Sequence, residues 1–314
     1  HRRVVRAVGR FDDNGSGPDG HPVPVYREEG ALLMERVRIS THVILIVGAI
    51  FMTLPVWVAF ATSTHAPETI LREGLQFWPG PHFFETYNEV LFVEGGVMKK
   101  VTATTMLKNS MILGVGFAIG KVIISMLAAY AIVYFRFRLG VPLFWVIFMT
   151  LLLPLEVRII PSYEVVANMG LLDTKTGLIV PLIASATGTF FFRQFFKSVP
   201  DELLEAARLD GASAWGFFID ILVPLSKTMI AAILIIMFVV GWNQYLWPLI
   251  MTTKEENYTL VIGIKQIYQV LNEGGELPQF QKAFALTILA TLPPVLVVLI
   301  FQRWFVKGLV ESEK

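Results

Sequence analysis

The chain contains no cysteine, which excludes disulfide scaffolds, thiolate zinc sites and thiol nucleophiles. Charge is scarce too. Asp, Glu, Lys and Arg make up only 16% of its 314 residues, where a soluble globular domain carries roughly 25%. Neither sign dominates: 26 Lys and Arg against 25 Asp and Glu leave a net charge of +1, so no basic field draws the chain to nucleic acid. The five histidines, at positions 1, 21, 42, 65 and 82, form no HExxH pair, and no GxSxG nucleophile elbow is present. The stretch Gly116-Phe-Ala-Ile-Gly120-Lys121-Val122 echoes a phosphate-binding P-loop. It is one residue short between its glycines, and Val follows the lysine where Ser or Thr is required. No catalytic residue, metal site, cofactor or ATP site is therefore expected in this chain.

What the chain has in abundance is apolar surface. Hydrophobic residues make up 54% and the mean hydropathy is +0.61, which in a soluble monomer would leave large apolar patches facing water. A lipid bilayer is the implied environment. Its hydrocarbon core takes roughly 20 apolar residues per helix. Six segments qualify, at 43–61, 107–135, 141–160, 178–196, 228–250 and 284–302, and the expected fold class is all-α with six transmembrane helices. The first segment is preceded by Arg36 and Arg38 and ends near Ala59-Phe-Ala61, in the manner of a signal peptide. Its apolar run exceeds the roughly 7–15 residues of a signal core, so it is read as a span. Lys and Arg favour the segments that face the cytoplasm if both termini do. The short loop with Arg136 and Arg138 weighs most, because short loops near span ends set topology.

Residues 11–22 (FDDNGSGPDGHP) read as disordered from their Gly, Pro and Asp content. Met34-Glu-Arg-Val-Arg38 has the form of a natural start, so residues 1–36 are expected to be an extension and 37–314 the membrane domain.

The inner loop 193–227 is expected to hold a short helix, a turn and a second helix. Ser198-Val-Pro-Asp201 has the form of a capping box, and Asp201 and Glu202 suit a helix N-terminus. Gly211 supplies the residue that ends the helix. An amphipathic piece, 213–222, then leads to Pro224. By helix grammar alone this is a surface hairpin. Its residues say more: Glu205-Ala206-Ala207, three residues, Gly211, nine residues, then Ile221-Leu-Val-Pro224. This resembles the EAA loop (EAA-x3-G-x9-I-x-L-P) of the membrane subunits of ABC importers, with Val223 for Leu as the departure.

The resemblance continues through Ala128-Ala-Tyr-Ala131, Leu153-Pro154, Gly170-Leu-Leu-Asp173, Trp242-Asn-Gln-Tyr-Leu-Trp-Pro248 and Gln302 to Gly308. It covers about residues 37–314 and points to the sugar-type, maltose-like permeases with their six-helix type I importer fold. The stretches 153–173, 190–213 and 224–228 look closest to the glycerol-phosphate branch. That implies sn-glycerol-3-phosphate or related glycerophosphodiesters as cargo, with a neutral sugar or oligosaccharide as the alternative.

The partners implied by the resemblance are a second permease subunit, an ABC ATPase dimer and an extracytoplasmic binding protein, the last facing loops 62–105 and 251–283. Glu205, Ala206, Ala207, Asp210, Gly211, Ile221 and Pro224 are the expected ATPase-coupling residues. The twin alanines would fit a cleft in the partner, and Glu205 and Asp210 would anchor the rim. An ion-driven secondary transporter is the rival reading. That class places carboxylates at mid-membrane, and here no Asp or Glu falls at the centre of a span.

Several polar residues in or near the spans are candidates for a substrate pathway. Lys121 lies near the middle of the second span, where a cation is costly; it either meets a substrate phosphate, pairs with a partner chain or reaches an interface. Glu156 and Arg158 either anchor an interface or line an outer gate. Trp242, Asn243, Gln244 and Trp247 either contact substrate or anchor the structure. Gly116 and Gly120 form a small-xxx-small pattern of the kind that lets helices approach closely.

Overall fold

The computed structural model describes the backbone of residues 26–93, 100–135, 137–273 and 278–311, with side chains for these except 26–39, 155, 269–273 and 303–311. The tail segment 11–22, Arg136 and the side chains of 303–308 lie outside the described residues. Among the described residues there is no strand. The helices are α1 (Tyr26–Ser63), α2 (Pro67–Glu73), α3 (Phe83–Phe92), α4 (Ala103–Tyr134), α5 (Gly140–Met149), α6 (Leu155–Asn168), α7 (Lys175–Ile179), α8 (Ala186–Ser198), α9 (Asp201–Leu209), α10 (Ala214–Gly216), α11 (Val223–Leu225), α12 (Lys227–Trp242), α13 (Leu246–Met251), α14 (Leu260–Glu273) and α15 (Phe280–Glu311). An all-helical answer follows from the environment: hydrocarbon offers backbone groups no partner, and a helix satisfies them within one segment.

Three helices are long and apolar enough to cross a bilayer, over Ser40–Ser63, Ala103–Tyr134 and Phe280–Gln302, and the number reaches six if each of three bent pairs is one span. The third and fourth expected spans are two of these pairs. Gly140–Leu152 turns by 107° into Glu156–Asn168, and Lys175–Leu182 turns by 48° into Ala186–Ser198. Pro154 stands at the first turning point and Pro181 starts a 3-10 turn just before the second; proline cannot donate to the preceding turn. The fifth span was expected at 228–250, but α12 stops at Trp242. There the side-chain amides of Asn243 and Gln244 donate to the carbonyls of Val239 and Val240 (2.8 and 3.3 Å), closing off the last turn.

The chain divides into two units, His1–Trp57 and Val58–Lys314. In the first, α1 carries Ile44, Phe51 and Met52 exposed, as suits a helix surrounded by apolar neighbours. In the second, α4 is the central post: it packs against α12 and α8, and α12 packs in turn against α15. The core holds Phe117, Met126, Phe192, Phe196, Phe217 and Trp242 among others.

Close approach to α4 rests on glycine. A Cβ on Gly116 would lie 2.6 Å from Ile179 Cδ1, and one on Gly120 would lie 2.4 Å from Ile183 Cγ2. The small-xxx-small pattern is thus the seat of the fourth, broken span.

Two tryptophans answer carbonyls near prolines. Trp242 donates its indole N–H to Ala290 O (2.9 Å), the carbonyl left without a helical donor because Pro294 has no N–H. Trp247 donates to Leu178 O (3.0 Å), where α7 gives way to the turn at Pro181. Both rings are fully buried.

Gly120→Leu should destabilise the purified protein by about 1–3 kcal/mol, the usual cost of forcing volume into a packed seam. Gly48→Ala, with nothing within 4 Å of the added Cβ, should be neutral. Thermal unfolding in detergent checks both, and equal melting temperatures would contradict this packing.

Candidate functional site

The inner loop folds as short helix, turn and second helix, though it does not begin as expected. Ser198 closes α8, and its hydroxyl donates to Phe195 O (2.7 Å) rather than capping α9. Pro200 takes the N-cap position with no side-chain bond. Pro200 and the acidic first turn of Asp201 and Glu202 set the helix start instead of a capping box. The C-terminal end behaves as expected. Gly211 sits at φ +78°, Ala212 N–H donates to Ala207 O (2.9 Å), and Gly211 N–H donates to Arg208 O (3.1 Å), which is a Schellman closure. The next turn is capped by Ser213, whose Oγ accepts from Gly216 N–H (3.0 Å).

Residues 217–222 then widen into a π-helical turn. Its cause is Pro224, which lacks the N–H that an α-helix would aim at the Asp220 carbonyl. After Ser226 the chain turns by 75° into α12.

This geometry sorts the expected coupling residues. Glu205, Ala206, Asp210 and Gly211 are exposed on the loop's outer side, and Pro224 is exposed at the return. Ile221 is half-buried against the main core. Ala207 departs from the expectation of twin alanines entering a partner: it is 4% exposed and belongs to this chain's own core. The sequence reading missed Leu209 and Trp215, which are 89% and 60% exposed on the same loop. The signal was present, since each is a large apolar residue next to a turn residue in a segment that lies outside the spans.

The second constellation lies inside the membrane domain. Lys121, on α4, donates to Ala184 O (3.2 Å) and stands 4.5 Å from the centre of the Phe117 ring. Arg158 comes from the first turns of α6, just past the break at Pro154. The two cations line the same two cavities, which open where the broken spans change direction. One, of about 260 Å³, also holds Ser162 and Gln244. The other, of about 380 Å³, holds Thr150, Ser185, Thr187 and Thr189. Among the described residues no carboxylate pairs with either cation.

Of the other pathway candidates, Glu156 is exposed and lines neither cavity, and Asn243 is occupied with its own helix end. Trp242 and Trp247 do not join the cations. Their buried positions fit structural anchoring, because their N–H groups are committed to backbone carbonyls. Gln244 alone of that group reaches the cavity. The hydroxyls of Ser162, Thr150 and Thr189 carried no sequence signal, since serine and threonine are common in membrane helices and only the tertiary fold gathers them.

A third polar cluster pins the loop after α13. Asp173, at φ +57°, accepts Thr253 N–H (2.8 Å) and Lys254 N–H (2.9 Å) at Oδ1, and the Thr253 hydroxyl (2.5 Å) at Oδ2. Lys175 Nζ donates to Asn109 Oδ1 (2.7 Å) and Asn257 Oδ1 (3.2 Å). Desolvation pushes the Asp173 carboxyl up, but the bonds from Thr253 and Lys254 outweigh it and hold the group below its ordinary value.

With this geometry in view, residues 104–311 match the family described as the binding-protein-dependent transport system inner membrane component. The chain belongs to that family. Among its relatives, the sn-glycerol-3-phosphate transport system permease protein UgpE of Yersinia pestis bv. Antiqua is 47% identical over 277 residues, which is 88% of this chain and 97% of that protein. The UgpE proteins of Brucella melitensis and Agrobacterium fabrum are 46% and 45% identical, covering 87% and 88% of this chain and 96% and 97% of theirs. A chain from the crystal structure of a bacterial ABC transporter involved in the import of the acidic polysaccharide alginate has the same fold. Its TM-score is 0.71 at 22% identity, covering 86% of this chain and 97% of that one. As an inner-membrane component of this family, the chain is a membrane subunit whose relatives are permeases.

The depressed carboxyl of Asp173 sets a pH window for the pinned loop. Its contribution is complete above about pH 4, the ordinary aspartate value, and is lost as pH falls through the lower folded value. Protection of the Thr253 and Lys254 amides against hydrogen exchange, relative to their intrinsic rates at each pH, should hold down to about pH 4 and fall only below it. In Asp173→Ala, that protection should be reduced at every pH.

Proposed function

We propose that this chain is the translocation subunit of an ATP-driven importer for sn-glycerol-3-phosphate, with residues 37–314 as its permease domain. The observation that carries the cargo is the pair Lys121 and Arg158, two cations that line the same two cavities with no carboxylate among the lining residues. Uncompensated positive charge within a membrane domain is costly unless an anion meets it. The cargo named for the UgpE relatives is such an anion. The phosphate would face Lys121 and Arg158, and the glycerol hydroxyls would meet Gln244, Ser162 and the threonines of the larger cavity.

In this reading the chain performs no chemistry. A second permease completes the pore, an ABC ATPase dimer supplies the energy, and a binding protein delivers cargo to the outer loops 62–105 and 251–283. Both termini and the 193–227 loop lie in the cytoplasm. Glu205, Ala206, Asp210 and Gly211 face the ATPase. Ala207, Ile221 and Pro224 act from within, joining the docked helix to the core and to α12.

The test is uptake of labelled sn-glycerol-3-phosphate and labelled maltose by the complete importer in liposomes. Wild type should take up the phosphate ester in an ATP-dependent way and leave maltose outside. Lys121→Met and Arg158→Gln should each slow phosphate-ester uptake about tenfold or more, equivalent to about 1.4 kcal/mol, while the complex still assembles. Maltose uptake by wild type would refute the assignment of cargo, and unimpaired phosphate-ester uptake by both variants would refute the role of the cation pair.

A further inference from the structure

Tyr130 and Tyr134 lie one helical turn apart in the last two turns of α4, with ring centres 5.4 Å apart. Each hydroxyl crosses to a different leg of the inner loop. Tyr134 Oη donates to Phe196 O (3.3 Å), in α8 just before the coupling helix α9. Tyr130 Oη donates to Ala214 O (2.6 Å), in α10 just after it. The rings pack as well as bond, with Tyr134 5.3 Å from Phe217 and Tyr130 4.9 Å from Phe218.

Between the tyrosines and α9 itself is a cavity of about 320 Å³, lined by Tyr130, Tyr134, Leu204, Ala207 and Phe217. A void transmits no push, because its walls lack contact atoms on one side. Apart from Ala207, which packs into the core, movement of α9 therefore reaches α4 through its two legs, and at the inner end of α4 the phenols are polar ties between those legs and α4. From Tyr130 to Lys121 the post is uninterrupted helix, about 14 Å at 1.5 Å per residue.

We infer that Tyr130 and Tyr134 are positioning residues that carry the stroke of the coupling helix into α4, and through it to the cation pair at Lys121. This rests on the reading of the chain as an ATP-driven permease, and it assigns to two spanning tyrosines a part in coupling that lies outside the inner loop. The hydroxyls, not the rings, are the necessary element, since phenylalanine preserves the packing and removes only the ties.

The experiment compares wild type, Tyr130→Phe, Tyr134→Phe and the double variant in the complete importer with its binding protein in liposomes, measuring ATP hydrolysed per labelled sn-glycerol-3-phosphate imported. The double variant is expected to assemble and hydrolyse ATP, yet consume about three to ten times more ATP per substrate, the range set by losing one or two neutral hydrogen bonds. Tyr130→Phe should account for most of the increase. A purely structural role would lower complex yield and both activities together and leave the ratio unchanged, and an unchanged ratio in the double variant overturns the inference. Should the double variant fail to assemble, the same ratio in Tyr130→Phe decides. If no ATPase accompanies the wild-type chain through purification, the permease reading itself fails before any variant is compared.

Discussion

A backbone carbonyl in hydrocarbon has no water to turn to, and each one left without a donor costs free energy comparable to a lost hydrogen bond. This chain has prolines within or beside most of its spans, and the consequences run through the fold. Pro294 deprives Ala290 O of its helical donor, and the Trp242 indole takes that place. The 3-10 turn at Pro181 is accompanied by a bond from Trp247 to Leu178 O. Asn243 and Gln244 close the end of α12 in the same manner. Helices can thus break inside the membrane domain because specific side chains from other turns and other helices donate to the carbonyls at the breaks.

The breaks also create the site. An unbroken third and fourth span would place Arg158 and the Ser185 region along a continuous helix wall. With the chain turning at Pro154 and before Ala186, these residues border two cavities around Lys121. The glycines of α4 allow the fourth span to seat closely enough for Ala184 O to receive the lysine ammonium. The same helix therefore carries the small residues that define the seam, the cation inside it, and at its inner end the two tyrosines that hold the loop.

How much of this was legible beforehand differs by region. The short helix and turn of the inner loop were readable in the sequence because their determinants are local, an acidic first turn and a glycine at φ +78°, whereas the Ser213 cap and the π turn before Pro224 emerged only in the structure. Even so, the Ser198 capping box did not form, because α8 extends to Ser198 and uses its hydroxyl on Phe195 O. Ala207 points inward rather than toward a partner, since only three-dimensional packing decides which side of a short helix faces the core. Trp242 and Trp247 resemble pathway or interface residues by type and become anchors only when the facing carbonyls are known.

The sequence by itself determined the membrane environment, the helical class, the approximate positions of the spans and the loop that resembles an ATPase contact. Each of these follows from composition, run length or spacing within a few turns of chain. The tertiary structure decided that Lys121 and Arg158 line the same two cavities, that Glu156 stays outside them, and that Tyr130 and Tyr134 tie both legs of the loop to α4. These residues are far apart in sequence, and no local rule fixes the angle at which a broken helix resumes. That angle is set by glycine seams and by donors supplied from other helices, so it exists only once the whole bundle has packed.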